Sequence, residues 1–283
     1  MSAPRRVALV THHRVEDTYE VVEKLVKAIT DAGGEVLVRQ DEADKHDVEG
    51  CSVVDDLAAA GADVAVALGG DGTMLGALRD FAGTGAPVFT FNFGAVGFLA
   101  TMERDEADEG IRRLVEGDFE TVELPTLVIE PPAGRRIAVN DIAFLRRSGS
   151  RVAQIAYAVR GDEVASARCD GLVVSTPVGS TGYNLANGGP VVAWGVEGYI
   201  VGYIAPHTLK ARTLVAAKSD VLLVTNLSRE EPVDVETDGK RVCSLEPGQS
   251  LEVQFDDHPA LLAKVSGTGF YDQLIEKFGL LAS

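Results

Sequence analysis

Apolar residues first gather in a block at 7–10, inside the run 6–11 (RVALVT), and that block reads as a buried strand. Val15, Tyr19, Val22, Leu25, Val26 and Ile29 then recur at helical spacing, and Gly33-Gly34 closes the helix they predict. A second strand is expected at 35–39, a helix at 48–60 and a buried strand at 63–68. A helix at 73–81, a strand at 87–91 and an acidic amphipathic helix at 103–115 follow. Strands separated by helices imply a parallel sheet covered on both faces, because a parallel crossover needs a connection that a helix supplies. Ligands of such sheets sit at the carboxyl ends of the strands.

From about Thr121 the helical periodicity stops. Short β-branched runs take over at 122–129, 136–145, 153–159, 172–175, 199–204, 221–225, 233–235 and 251–255. Turn signals such as Pro131-Pro132, Gly161-Asp162, Asp238-Gly239 and Pro247-Gly248 separate them, which is the pattern of an all-β domain. Residues 270–278 return to helix and are expected to pack back on the first domain. The expected division is an α/β domain at 1–120, a β domain at 121–265 and a helical segment at 266–283.

A length of 283 residues agrees with two domains, and 46% hydrophobic residues suffice for sizeable cores. The net charge of −17 argues against nucleic acid or anionic lipid as a partner, since both need a basic footprint. No run of about 18 apolar residues exists, and the polar, basic first six residues are not expected to act as a secretory leader. Cys51, Cys169 and Cys243 lie far apart with no CxxC pair, which points away from a zinc or dithiol site and towards a reducing, cytoplasmic compartment.

Candidate chemistry starts where the strand at 63–68 runs into Gly69-Gly70-Asp71-Gly72-Thr73. Glycines there let the chain turn sharply and let a ligand reach the peptide N–H groups, and the following helix turns its positive end to the same place. That suits phosphate. Asp71 is then a lone carboxylate able to hold Mg²⁺ or to take a proton from an attacking hydroxyl. A plain tight turn is the alternative. No GxxxxGK[ST] loop is present, no GxGxxG follows the first strand, and Gly179-Ser180-Thr181-Gly182 has the wrong spacing for a nucleophile elbow.

Three further segments add to this. Residues 91–99 (FNFGAVGFL) bring glycines to the same sheet edge, and Asn140-Asp141 put an amide beside an acid within a strand-like run. Residues 170–183 (DGLVVSTPVGSTGY) are dense in small hydroxyl residues, offer close backbone approach and carry one aromatic ring. With Pro206-His207-Thr208-Leu209, these segments resemble the NAD kinase family from the first strand to the last helix. The family motifs GGDG, NxGxxGFL, an NE or ND pair, DGxxxSTPTGSTAY and PHSL all have counterparts here, in order. The resemblance implies a Rossmann-like α/β parallel-sheet domain followed by a β-sandwich domain, with the C-terminal helix returning to the first.

It also implies the activity: phosphorylation of NAD at the 2′-hydroxyl of its adenosine ribose. Gly69, Gly70, Gly72 and Thr73 would hold phosphates, and Asp71 would face and activate that hydroxyl. Phe98 would pack near the adenine. Asn140 and Asp141 would hold the dinucleotide, and Thr181, Gly182 and Tyr183 would line its pocket, with Tyr183 stacking. Asp170 of a neighbouring subunit would reach the nicotinamide end. Arg168 looks like the NAD-selective type, with a solvated surface arginine as the alternative. The implied donor is ATP, another nucleoside triphosphate or polyphosphate, the cofactor is Mg²⁺ or another divalent cation, and the assembly is a homodimer or homotetramer. No metal ligand is assigned among the side chains. Val178, Gly182, Cys169 and Thr213 depart from the usual family residues. His207 reads as a turn residue, and His12-His13 as a loop at the carboxyl edge of the first strand. Two other readings stay open, a GGDG-type lipid kinase and an NAD-binding sensor without turnover.

Overall fold

A computed structural model describes residues 3–46, 49–94, 98–265 and 269–279. In chain order the first elements are β1 (Arg6–Thr11), α1 (Val15–Asp31), β2 (Glu35–Val38), α2 (Gln40–His46), β3 (Cys51–Val53), β4 (Val64–Gly69), α3 (Asp71–Phe81) and β5 (Val88–Asn92). Then come β6 (Met102–Glu103), a 3-10 turn at Arg104–Glu106, α4 (Ala107–Glu116) and β7 (Glu120–Leu124). The β-rich part holds β8 (Leu127–Ile129), β9 (Arg136–Ala138), β10 (Asp141–Arg146), β11 (Ala153–Val159), β12 (Asp162–Cys169) and β13 (Gly171–Ser175). After the short helix α5 (Tyr183–Ala186) it continues with β14 (Gly198–Ile204), β15 (Leu214–Ala217), β16 (Leu222–Asn226), β17 (Val233–Thr237), β18 (Lys240–Leu245) and β19 (Ser250–Phe255). The chain ends in β20 (Ala260–Lys264) and α6 (Phe270–Phe278).

The chain divides into two compact units, Met1–Glu123 with Ala260–Ser283, and Leu124–Pro259. The first is built on an eight-stranded sheet in the order β3-β2-β1-β4-β5-β20-β7, with β6 on β5. All six residues of β4 are buried, as a central parallel strand covered on both faces requires. Its register with β1 runs from Val7↔Val64 to Thr11↔Leu68. Val22, Leu25, Val26 and Ile29 form the buried stripe of α1 and pack in one core with β1, β2, β4 and β5. The chain runs outward through β1, β2 and β3 and returns on the other side of β1 as β4. The carboxyl ends of β1 and β4 therefore flank the switch point of the sheet, where open α/β sheets bind ligands.

The second unit has two six-stranded sheets, β15-β14-β13-β10-β17-β18 and β12-β11-β16-β19-β8-β9. Inward residues of both, among them Phe144, Leu172, Val174 and Tyr199 from one and Ile155, Tyr157, Val224 and Val253 from the other, share one core, which makes the unit a sandwich. The Tyr203 hydroxyl crosses that core to donate to the Ile155 carbonyl at 3.1 Å.

Several elements differ from the sequence expectation. The helix expected at 48–60 is not formed: its described residues hold β3 and a turn, and Val48 lies outside the described residues. The Asp56 carboxylate accepts the N–H groups of Ala58 (2.9 Å) and Ala59 (3.2 Å), a local turn that competes with helix, and Gly50 and Gly61 bound the segment at positive φ. Residues 40–46, acidic and without apolar periodicity, form α2, which buries Glu42 and His46. The helix expected at 103–115 begins as the 3-10 turn. Residues 260–264, inside the segment expected as 121–265, form β20 of the first sheet, parallel to β5 through Leu262↔Val88. The helix expected at 270–278 is α6, and it packs in the first unit, with the rings of Phe278 and Phe98 5.8 Å apart.

Candidate functional site

In the first unit the site begins at the switch point. Gly70 is the N-cap of α3 in extended conformation and offers no side-chain cap; the N–H groups of Thr73 and Met74 donate to its carbonyl at 3.0 and 3.2 Å, while those of Asp71 and Gly72 stand before the helix's own bonding begins, as at any helix N-terminus that can take an anion. Asp71 is the first residue of α3, and its side chain is exposed. Gly69 has no room for a side chain, since a Cβ would lie 2.5 Å from Thr73 Oγ1. The Thr73 side chain thus packs against the backbone of the turn. Gly72 has open space where a Cβ would point.

A second loop meets the first backbone to backbone. A Cβ on Gly94 would sit 3.2 Å from the Gly70 Cα. The Phe93 N–H donates to the Gly69 carbonyl at 3.0 Å. Asn92 braces the loop from inside: its Oδ1 accepts the Gly94 N–H at 3.0 Å and its Nδ2 donates to Glu103 Oε2 at 2.9 Å. Ala95, Val96 and Gly97 of the expected segment lie outside the described residues. Phe98 is buried, with the Lys277 ammonium 4.5 Å from its ring centroid.

In the second unit Asn140 and Asp141 stand at the head of β10, and the 170–183 stretch packs on them. Thr176 donates from its N–H to the Asn140 carbonyl (2.9 Å) and from its hydroxyl to the Val139 carbonyl (2.6 Å), and its Oγ1 accepts the Gly179 N–H at 3.0 Å. A Cβ on Gly179 would collide with the Asn140 carbonyl, so only glycine allows this contact. Ser180 is fully buried; its hydroxyl donates to the Pro177 carbonyl at 2.7 Å and accepts the Val192 N–H at 2.9 Å. Thr181 Oγ1 donates to the Val178 carbonyl at 3.3 Å. The hydroxyls of Thr176, Ser180 and Thr181 therefore help hold the turn together.

Asp141 is buried, and burial, followed by the charges of Asp238 and Glu236, pushes its carboxyl up to about 7. The Tyr183 phenol is raised above its ordinary value by burial and then by Asp141, Glu236 and Asp170. This surface suits hydroxyl and amide donors and repels phosphate, whereas the glycine turn of the first unit suits phosphate. Asp170 accepts from Arg146 Nε at 2.6 Å. The Arg168 side chain is exposed and lines another recess, with Arg151, Gln154, Ser228 and Arg229. His207 is exposed, and its backbone N–H donates to the Arg168 carbonyl at 2.7 Å.

Sequence reasoning overlooked Asp238. Its carboxylate accepts the N–H groups of Val139 (3.1 Å), Asn140 (2.8 Å) and Asp141 (3.2 Å). The only sequence signal was the Asp-Gly turn it opens. Among the described residues no group of three or more His, Cys, Asp or Glu converges to hold a metal, and no helix is long and apolar enough to cross a membrane.

Comparison with known proteins agrees with the motif reading. Residues 7–119 match the ATP-NAD kinase N-terminal domain, and residues 139–265 match the ATP-NAD kinase C-terminal domain. The NAD kinase 2 of Streptomyces coelicolor is 33% identical over 290 residues, covering 99% of this chain and 96% of that protein. The crystal structure of an NAD kinase from Archaeoglobus fulgidus in complex with ATP superposes with a TM-score of 0.76 at 26% identity, covering 95% of this chain and 98% of that one. The yeast NADH kinase complexed with NADH shares the fold, with a TM-score of 0.86 at 20% identity over 100% of this chain and 90% of that one. With both domain types matched in order and a relative of this identity along nearly the whole length, the chain belongs to the NAD kinase family.

Proposed function

We propose that this chain transfers the terminal phosphoryl group of ATP to the 2′-hydroxyl of the adenosine ribose of NAD, giving NADP, with Asp71 as the group that readies the hydroxyl. The observation that carries this reading is an exposed carboxylate on the first residue of α3, beside an uncapped glycine turn at the switch point of the sheet. The ribose oxygen bonds to the γ-phosphorus as the bond from that phosphorus to the bridging oxygen breaks. The hydroxyl proton passes to Asp71, and ADP leaves. Transfer through a loose transition state needs positioning and charge neutralisation more than covalent chemistry, so no phospho-enzyme is required.

Gly69, Gly70, Gly72 and Thr73 hold phosphate through backbone N–H groups and the side chain behind them. Phe98 packs near the adenine. Asn140, Asp141, Thr181, Gly182 and Tyr183 take the hydroxyl- and amide-bearing parts of the dinucleotide, in keeping with the acceptor character of that surface. A divalent cation such as Mg²⁺ fits a donor set of phosphate oxygens with Asp71, and it would neutralise charge on the transferring group. Other nucleoside triphosphates and polyphosphate fit the same glycine turn. The family resemblance gives Asp170 to the site of a neighbouring subunit in a homodimer or homotetramer, and Arg168 to the choice of NAD over NADH. The three free cysteines accord with a reducing, cytoplasmic compartment.

The test is a screen of the purified protein with NAD and NADH against ATP and polyphosphate, NADP being read by a coupled dehydrogenase. NADP formation that Asp71→Asn abolishes supports the assignment. NAD binding without product would make the chain a sensor, and phosphorylation of lipid instead of NAD would make it a lipid kinase.

A further inference from the structure

We propose that the turn joining β1 to α1, formed by His12, His13 and Arg14 with Lys45 behind it, seats the phosphate chain of the phosphoryl donor, a triphosphate or longer polyphosphate anion. This rests on the kinase reading and adds donor-binding residues that lie outside the glycine turn.

Position comes first. The His12 N–H donates to the Leu68 carbonyl at 2.8 Å, so pairing of β1 with β4 continues one residue past Thr11. His12 thereby stands alongside Gly69, across the same switch point, one strand spacing of about 4.8 Å away. The turn is also built with polar groups where apolar ones would be cheaper. Glu42 is 3% exposed, and its carboxylate accepts from the Thr11 N–H (3.1 Å), the Thr11 hydroxyl (2.7 Å) and Lys45 Nζ (3.0 Å). His46 Nε2 meets the same Thr11 hydroxyl at 2.7 Å. Lys45 Nζ reaches on to the Thr11 carbonyl (3.4 Å) and the His12 carbonyl (3.5 Å). A buried ionic network of this kind seldom adds stability over an apolar filling, and here it fixes one turn.

Charge comes second. The His12 and His13 rings are 3.9 Å apart, and Arg14 follows directly. His12 Nδ1 accepts the Arg14 N–H at 3.2 Å, so the neutral ring carries its proton on Nε2 and has a donor to offer. The groups facing His12 are His13, Arg14 and Asp17 from the turn and α1, and Lys45 from α2. Burial holds the imidazole below its ordinary value, and His13, Arg14 and Lys45 add to that against the single opposing Asp17. In a chain of net charge −17 the turn gathers His12, His13 and Arg14 as nitrogen donors, with Lys45 paired to Glu42 at 3.0 Å behind them. An anion placed there would raise the imidazole pKa, so binding would draw in protons.

The experiment is calorimetric titration of the full-length protein with inorganic tripolyphosphate at pH 7, in two buffers of different ionisation heat. Wild type is expected to bind and to take up a fraction of a proton. His12→Asn should abolish the uptake, and His12→Asn and Arg14→Gln should each weaken binding about tenfold, the scale of one charge-assisted hydrogen bond. In the kinase assay the same variants should raise KM for ATP about tenfold and leave KM for NAD unchanged. Asp71→Asn should lose turnover yet keep tripolyphosphate binding, so failure of the kinase reading and failure of this one look different. Absence of tripolyphosphate binding by wild type, wild-type binding by both variants, or a change in KM for NAD alone would each overturn the proposal. Thermal melts of both variants verify that the fold is retained.

Discussion

Asp238 and Asn140 are separated by 98 positions in the chain, and the carboxylate of the first accepts the backbone N–H of the second at 2.8 Å. Val139 and Asp141 donate to the same carboxylate, so one side chain in the β17–β18 turn fixes the entry to β10. Asp238 itself holds φ at 46°, a conformation that Asn and Asp tolerate better than other non-glycine residues. Asp238→Ala is expected to lose about 3 kcal/mol of stability, from three donors left unpaired and a strained backbone. Asp238→Asn, which keeps one acceptor oxygen and the tolerated backbone, should lose about half as much. Chemical denaturation of both, with KM for NAD rising in the same order, checks this.

Gly69 and Gly72 lie in the same motif and should respond oppositely to alanine. At Gly69 the new Cβ meets Thr73 Oγ1 at 2.5 Å and Thr73 Cβ at 2.7 Å, so the start of α3 must shift. At Gly72 nothing lies within 4 Å, and the residue is in the first turn of α3, where alanine is favoured over glycine by less than the roughly 0.5–1 kcal/mol of a helix interior. Gly69→Ala should therefore lower both the melting temperature and the activity. Gly72→Ala should raise the melting temperature while lowering kcat/KM, because under the proposed function the methyl would stand where phosphate approaches. A rise in both quantities at Gly72 would remove that glycine from the phosphate site.

The same two glycines show what was legible beforehand. A glycine turn after a strand and before a helix is a local pattern, and local patterns survive in a single sequence. Asp238 is not local: an Asp-Gly pair announces a turn and says nothing of three N–H groups about a hundred residues upstream. Helix α2 (QDEADKH) escaped because it buries Glu42 and His46, and hydrophobic periodicity is blind to polar burial. Strand β12 escaped because it forms the edge of its sheet and is exposed along most of its length, which weakens alternation. The apolar spacing at 48–60 suggested a helix, and a local turn held by Asp56 overrode it.

Burial of Asp141 should show in the pH dependence of stability. Its carboxyl sits near 7 in the folded chain, against 3.8 when unfolded. Between these values the folded state holds a proton that the unfolded state has released, so stability falls as pH rises from about 4 to 7 and stays lowered above. The loss is on the order of 4 kcal/mol. Asp141→Asn should accordingly raise the melting temperature at pH 8 and change it little at pH 4. Equal effects at both pH values would mean that Asp141 is ionised throughout.

Lys264 gives the opposite slope. Its side chain is 4% exposed, and Nζ donates to the Ala100 carbonyl at 2.9 Å. Oriented to satisfy both neighbours, Gln273 of α6 accepts from the same ammonium at 2.6 Å and donates to the Phe98 carbonyl at 2.7 Å. The lysine thus ties α6 to the segment after the second glycine loop. Burial holds its pKa down at about 8, against 10.5 when exposed. Below pH 8 both states are protonated and the full cost of burying the charge is present. Between 8 and 10.5 the unfolded state holds the extra proton, so this group makes the fold more stable as pH rises. Lys264→Met should remove that rise, seen as a smaller difference in unfolding free energy between pH 8 and pH 10 than in wild type. It should also speed amide exchange across α6, because the ammonium no longer ties Gln273 to the Ala100 carbonyl. Unchanged exchange in α6 would mean that the helix is held by Phe98 and Phe278 without the lysine.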